Sequence, residues 1–137
     1  MSNDQAVPTP KCLAMMLCEQ VIQDAQTKNL TLVNTFNRIT TKPGKTRYPR
    51  LAVFVSLTNG HGQGQGALTI TAPSGEEIFR GEGQIVFPDP LAVVELTFDI
   101  RLLPLPEAGE YSIQFWCDGE PINQRKFSVD AADQKQE

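Results

Sequence analysis

The segment 104–122 constrains the fold more than any other part of the sequence, because a turn, a strand and a tight hairpin follow one another without interruption. After the proline- and glycine-containing turn, every second residue is apolar: Tyr111, Ile113, Phe115 and Cys117. That period is typical of a β-strand with one buried face. Asp118 and Gly119 then favour the positive φ angles of a two-residue type I′ turn, with 121–129 as the returning strand. The segment predicts antiparallel β structure.

The residues just before this strand resemble a known structural device. Glu107, Gly109 and Tyr111 stand at alternate positions, as in the tyrosine corner of immunoglobulin-like sandwiches, where the tyrosine hydroxyl bonds to the backbone of the preceding loop. Ile113 stands where an immunoglobulin domain carries its second disulfide cysteine. The resemblance implies a β-sandwich without that disulfide. It also predicts that Tyr111 is buried and that its hydroxyl bonds to backbone near 106–108.

The rest of the chain also favours strands. Ten Gly and ten Pro in 137 residues indicate many turns between short elements. The predicted strands cover 11–24, 30–40, 51–58, 67–71, 77–87, 91–103, 110–117 and 121–129. We predict one all-β domain over 11–130, with polar tails at 1–10 and 131–137. Its fold is an antiparallel two-sheet Greek-key β-sandwich of seven or eight strands, immunoglobulin-like or C2-like.

Alternation assigns most side chains to the core or to water. In 91–103, the core-facing residues are predicted to be Val94, Leu96, Phe98, Ile100 and Leu102. In 51–58 they are Leu51, Val53, Val55 and Leu57. The run 12–18 does not alternate, so a strand there has two apolar faces. Leu13, Met15 and Leu17 are assigned to the core face, and Cys12, Ala14 and Met16 to the opposite face, which needs cover. Either a loop or tail of the same chain covers that face, or Met16 marks a homo-oligomer contact through the N-terminal hairpin.

A scattered motif resembles one found in a bacterial family of small uncharacterised proteins. This chain carries it as Leu17-Cys18-Glu19, followed by Leu32 and by Phe36-Asn37-Arg38-Ile39. The similarity extends over about 11–130. It implies a β-sandwich fold and supplies no reaction, ligand or cofactor.

Catalytic and metal-binding patterns are not evident in the sequence. His61 is the single histidine, and the three cysteines lie on apolar strands without metal-ligand spacing. Buried thiols are poor nucleophiles, and no carboxylate pair has the spacing for acid–base catalysis. We therefore predict a non-enzymatic protein without a cofactor. An odd cysteine count, and the lack of a signal or a membrane-spanning run, predict free thiols and a cytoplasmic location.

Two segments and one side chain are candidates for binding. The basic segment contributes Lys42, Lys45, Arg47, Tyr48 and Arg50, in a stretch from 25 to 75 with six bases and no acid. The glycine-rich segment 59–66, which contains His61, is predicted to be a flexible hairpin connection. Trp116 is predicted to point away from Phe115, and two hypotheses follow: on the outer face of the sheet it anchors a partner, or a loop or tail of the same chain covers it. The leading hypothesis is a protein-interaction module whose partner the sequence does not name. The alternative is a small-ligand or anion binder using 41–50 and 59–66; a net charge of −4 does not favour nucleic acid.

Overall fold

The computed structural model describes residues 9–41 and 47–131. This part of the chain contains nine strands and no helix. The strands are β1 (Lys11–Gln23), β2 (Leu30–Thr35), β3 (Arg38–Thr41), β4 (Arg47–Thr58), β5 (Gly62–Thr71), β6 (Glu77–Phe87), β7 (Val94–Pro104), β8 (Gly109–Cys117) and β9 (Glu120–Ala131). The predicted tails lie almost entirely outside the described residues. The all-β prediction is confirmed.

The strands form a β-sandwich of two sheets. The four-stranded sheet has the order β2-β1-β4-β7, and the five-stranded sheet has the order β3-β9-β8-β5-β6. All neighbours are antiparallel except β3 and β9, which pair in parallel. The predicted antiparallel two-sheet sandwich is confirmed, and it differs in two details: nine strands instead of seven or eight, and one parallel pair.

Both differences arise where the predicted strand 30–40 divides into β2 and β3. Asn34 adopts a φ of 54°, which interrupts regular pairing. The Phe36 amide then donates to the Leu17 carbonyl of one sheet at 3.1 Å, whereas the Asn37 carbonyl accepts from the Ser128 amide of the other at 2.9 Å. The chain thus crosses between the sheets at 36–37, and its continuation lies parallel to β9.

The strand order is that of an immunoglobulin-like domain. The order β1-β4-β7 corresponds to strands A, B and E, and β9-β8-β5-β6 corresponds to G, F, C and C′ of the variable type. Only the loop 88–93 joins β6 to β7, so strands C″ and D have no counterpart. The sandwich is consequently open along the side formed by β6 and β7.

The core lies between the sheets and follows the alternation of β4 and β8. Its largest fully buried side chains include Tyr111, Phe115 and Phe127, and the Tyr111 and Phe127 rings stack at 5.3 Å. The Tyr111 hydroxyl donates to the Glu107 carbonyl at 2.6 Å and accepts from the Glu107 amide at 3.2 Å. The predicted tyrosine corner is confirmed. The predicted turn is confirmed by positive φ angles of 51° at Asp118 and 82° at Gly119.

Two predicted core residues point elsewhere. Leu13 is 52% exposed because a bulge between Cys12 and Ala14 shifts the register of β1, which moves Cys12 onto the core side. Leu102 is 59% exposed because its φ of 56° breaks the alternation of β7, and Leu103 is buried instead. Neither local conformation is visible in a period-two pattern.

Candidate functional site

The outer face of the five-stranded sheet carries the candidate site, which is centred on Trp116. This residue lies on β8, the middle strand, and is partly buried. Its neighbours on the adjacent strands are Ala67 of β5 and Pro121 of β9. Because both neighbours are small, the indole stands above them as a ridge. We call this surface the Trp116 face.

Hydrogen bonds fix the orientation of the indole. The Trp116 Nε1–H donates to Thr69 Oγ1 at 3.0 Å, and the Thr69 hydroxyl donates to Gln114 Oε1 at 2.7 Å. Gln114 in turn donates from its amide to the Ser112 hydroxyl at 2.9 Å. Thr69 is buried, so its partners are held in place by packing as well as by hydrogen bonds. The indole is therefore held in one orientation by a continuous set of hydrogen bonds.

A hollow lies on each side of the indole. The hollow over Ala67 has a volume of about 300 Å³, and the one over Pro121 has a volume of about 380 Å³. The first is lined by Gln65, Ala67, Arg80, Glu82, Trp116 and Gly119. The second is lined by Gln114, Trp116, Pro121, Ile122, Asn123 and Gln124. A β-bulge between Phe115 and Trp116 adds Ile122 to β9, and Ile122 lines the second hollow.

An ion-paired cluster borders the first hollow. Arg80 binds both carboxylate oxygens of Glu77, at 2.9 and 3.1 Å, and donates to Glu82 at 3.1 Å. The hydrogen bond from Arg80 lowers the pKa of Glu77. All three side chains are about half exposed, so the cluster adds little stability. It surrounds the apolar ring with charges that are already paired.

The basic candidates lie on the other sheet. Arg47, Tyr48 and Arg50 open β4, whereas Lys42 and Lys45 lie outside the described residues. The Tyr48 ring packs against Phe36 at 6.2 Å. Trp116 therefore has none of the described basic candidates beside it.

A second feature emerges on the outer face of the four-stranded sheet. Arg50 of β4 stands directly opposite Arg101 of β7. Two like charges in such a pair are unfavourable unless something compensates them. The Arg50 Nε is buried and has no hydrogen-bond partner among the described residues. Asp99 lies two positions from Arg101 on the same strand and stands opposite Ala52 of β4.

Two other candidates also differ from expectation. The glycine-rich segment is not a flexible connection, because Gly62 already begins β5 and 62–66 pair with β6. His61 lies exposed in the turn before that strand. Met16 is half-buried on the outer face of the four-stranded sheet, opposite Phe54 of β4. Its role in self-association stays a prediction.

The sequence matches the model of a family of unknown function, DUF6941, over residues 13–130. The chain belongs to this family. A comparison with curated proteins found no match.

Two of the solved structures that this chain resembles come from Pseudomonas species. One is the Pseudomonas fluorescens alkylpurine DNA glycosylase AlkC bound to DNA containing an abasic site analog, with a TM-score of 0.49 and 10% identity over 85% of this chain. The present chain spans 30% of that enzyme. The other is an immunoglobulin-like protein from Pseudomonas aeruginosa, with a TM-score of 0.45 and 12% identity, covering 89% of this chain and 97% of that one.

Two of the three cysteines of this family member, Cys18 and Cys117, are buried, and Cys12 is partly buried. All three cysteines are free thiols, and burial raises the pKa of Cys18 and Cys117. A raised pKa leaves less thiolate at neutral pH and lowers reactivity. No cluster of three potential metal ligands occurs within 9–41 and 47–131. The same residues contain no helix that is long and apolar enough to cross a membrane.

Sequence reasoning identified Trp116 but missed its surroundings. Thr69 and Arg80 reach it only through the registers of β5, β6 and β8, which join residues far apart in sequence, whereas Gln114 lies two positions away on β8 itself. One available signal was the alternation of Arg80 and Glu82, which places two charges on one face of a strand.

Proposed function

We propose that this domain is a non-catalytic protein-interaction module that docks a partner protein on the Trp116 face. The observation that carries the proposal is a single hydrogen-bonded indole standing between two hollows. Tryptophan is enriched among the residues that dominate binding energy at protein interfaces, where it fills a desolvated pocket inside a polar rim. The hollows give a partner's side chains room on both sides of the ring.

The polar groups of this face support binding rather than catalysis. They are amides, hydroxyls and the Arg80 cluster, which offer hydrogen-bond donors and acceptors and include no nucleophile paired with a base. Amides offer donors and acceptors together, so they suit the rim of an interface. The buried free thiols are consistent with action in the reducing cytoplasm, which is part of the same proposal.

Replacing Trp116 tests the proposal. Partners are captured from the native lysate on the immobilised chain, identified by mass spectrometry, and titrated as purified proteins. Trp116 is the single tryptophan of the chain, so fluorescence of the wild-type protein reports directly on this face, and titration calorimetry compares the affinities of wild type and variants. We expect Trp116→Ala to weaken binding by about 2 kcal/mol, roughly thirtyfold.

Met16→Ala is the control, because Met16 lies on the opposite sheet. It should leave the partner's affinity within twofold of wild type. A captured partner that binds Trp116→Ala as tightly as wild type would contradict docking on this face.

The Arg50–Arg101 pair favours a second candidate function, the binding of an inorganic or organic phosphate. Two opposed guanidiniums give the planar donor geometry that suits phosphate oxygens.

We expect inorganic phosphate to raise the melting temperature at low salt, and sodium chloride to abolish the effect. Arg50→Gln should remove this stabilisation, and Arg47→Gln should reduce it much less. An equal shift in all three proteins would exclude the site.

A further inference from the structure

The open side of the sandwich has a free strand edge next to an apolar slot. Strand β6 is the last strand of the five-stranded sheet, and β7 is the last of the other sheet. No described strand pairs with the outer edge of either. The free edge of β6 therefore presents unpaired backbone N–H and C=O groups, which are complementary to an extended polypeptide.

The slot opens between these two strands. It has a volume of about 130 Å³ and is lined mainly by Ile85, Leu96 and Phe98, with Gly66 and Gly83 at its base. Gly66 stands opposite Gly83 on the inner face, so the sheet carries no side chain at this level. A Cβ placed on Gly83 meets nothing within 4 Å, whereas one on Gly66 would meet Ile85. The missing side chain at Gly83 is thus what leaves the slot empty.

The opposite side of the sandwich is closed. There the chain crosses between sheets at 36–37, and Arg125 bridges them by donating to the Met15 carbonyl at 3.1 Å and to Asn37 Oδ1 at 2.6 Å. The two lateral sides are therefore unequal. The slot lies on the side from which strands C″ and D are missing.

Charges protect only half of the β6 edge. The paired residues Glu77, Arg80 and Glu82 occupy its first part, and residues 83–87 carry no charge. Proteins commonly place charges on exposed edges to prevent strand pairing. The unprotected half coincides with the slot.

We infer that β6 accepts an extended segment of another protein as an additional strand, in the position that C″ occupies in variable-type domains. Side chains of such a strand alternate between the two faces of the sheet. One inward side chain, a Leu, Ile or Val, enters the slot against Ile85, Leu96 and Phe98. A cavity of about 150 Å³ lined by similar residues binds benzene, so 130 Å³ suits a single branched side chain. The β6 edge and its slot are separate from the Trp116 face, so strand addition at β6 does not depend on docking at Trp116.

The test uses a phage-displayed library of random twelve-residue peptides, selected on the immobilised full chain. We expect the enriched peptides to share an aliphatic residue at one position, and its replacement by Ser to weaken binding at least tenfold. Gly83→Val should have the same effect, because a Cβ at this position meets nothing within 4 Å and the valine side chain would occupy the slot itself. Val86→Thr, on the outer face of the same part of β6, and Trp116→Ala should each change affinity less than twofold.

Amide hydrogen exchange provides a second measurement that does not depend on any variant. A bound peptide should slow exchange in the 83–87 half of β6. The inference is overturned if no peptide is enriched, if enriched peptides bind Gly83→Val as tightly as wild type, or if the newly protected amides lie on other strands.

Discussion

Replacing Gly109 with Ala is expected to destabilise the domain by about 4 kcal/mol, since backbone strain and overpacking each cost about 1–3 kcal/mol. Gly109 has a φ of 137°, a conformation that L side chains rarely adopt. A Cβ at this position would also lie 2.8 Å from Pro73 Cγ, in the turn between β5 and β6. The free energy of unfolding, measured by urea denaturation, gives the loss.

Gly119→Ala separates the two causes. Gly119 also has a positive φ, 82°, but a Cβ there meets nothing within 4 Å. This control should therefore lose only the strain, about 1–3 kcal/mol. Equal destabilisation by the two variants would mean that contact with Pro73 contributes nothing.

Tyr111→Phe is expected to cost about 2–3 kcal/mol, because a partly buried amide and carbonyl of Glu107 lose their partner. The ring, and with it the stacking on Phe127, is retained. Tyr48→Phe is the matched control, since these are the two tyrosines of the chain and no hydrogen bond of the Tyr48 hydroxyl occurs among the described residues. A loss for Tyr111→Phe no larger than for Tyr48→Phe would contradict the role of the corner.

The same substitution should change the response to alkaline pH. Burial raises the pKa of Tyr111 above its ordinary value of 10.0, although its hydrogen bond to Glu107 opposes this. Because the folded pKa exceeds the unfolded one, the contribution of Tyr111 is complete below about pH 10 and is lost as pH rises further. Melting temperature should therefore fall less steeply above pH 10 in Tyr111→Phe than in wild type. Parallel curves would show that Tyr111 does not contribute.

Local patterns predicted the parts of the fold that depend on neighbouring residues. The alternation of β4 and β8, the Asp118-Gly119 turn and the tyrosine corner each involve residues within a few positions of one another. Leu13 and Leu102 were misplaced because a bulge and a positive φ interrupt the period of two. The division of 30–40 was missed because the contacts of Phe36 and Asn37 lie on different sheets.

The candidate site was less accessible to sequence reasoning for a similar reason. The outward direction of Trp116 follows from the buried residues on either side of it in β8. The hollows depend on Ala67 and Pro121, which become its neighbours only through strand register. The slot depends on a glycine of β5 standing opposite a glycine of β6, so sequence spacing alone does not indicate it.

The parallel pairing of β3 with β9 also bears on when the protein can fold during synthesis. Arg38 stands opposite Ser128, which is made 90 positions later in translation. Until residues 128–131 have left the ribosome, β3 has no strand to pair with. During that time the nascent chain exposes Ile39 and the side chains that pack against it in the folded domain. Contacts between residues so far apart also slow folding, because the loop between them must be closed first. We therefore expect the domain to complete its fold after translation of β9, and nascent chains stalled before that strand to remain sensitive to protease.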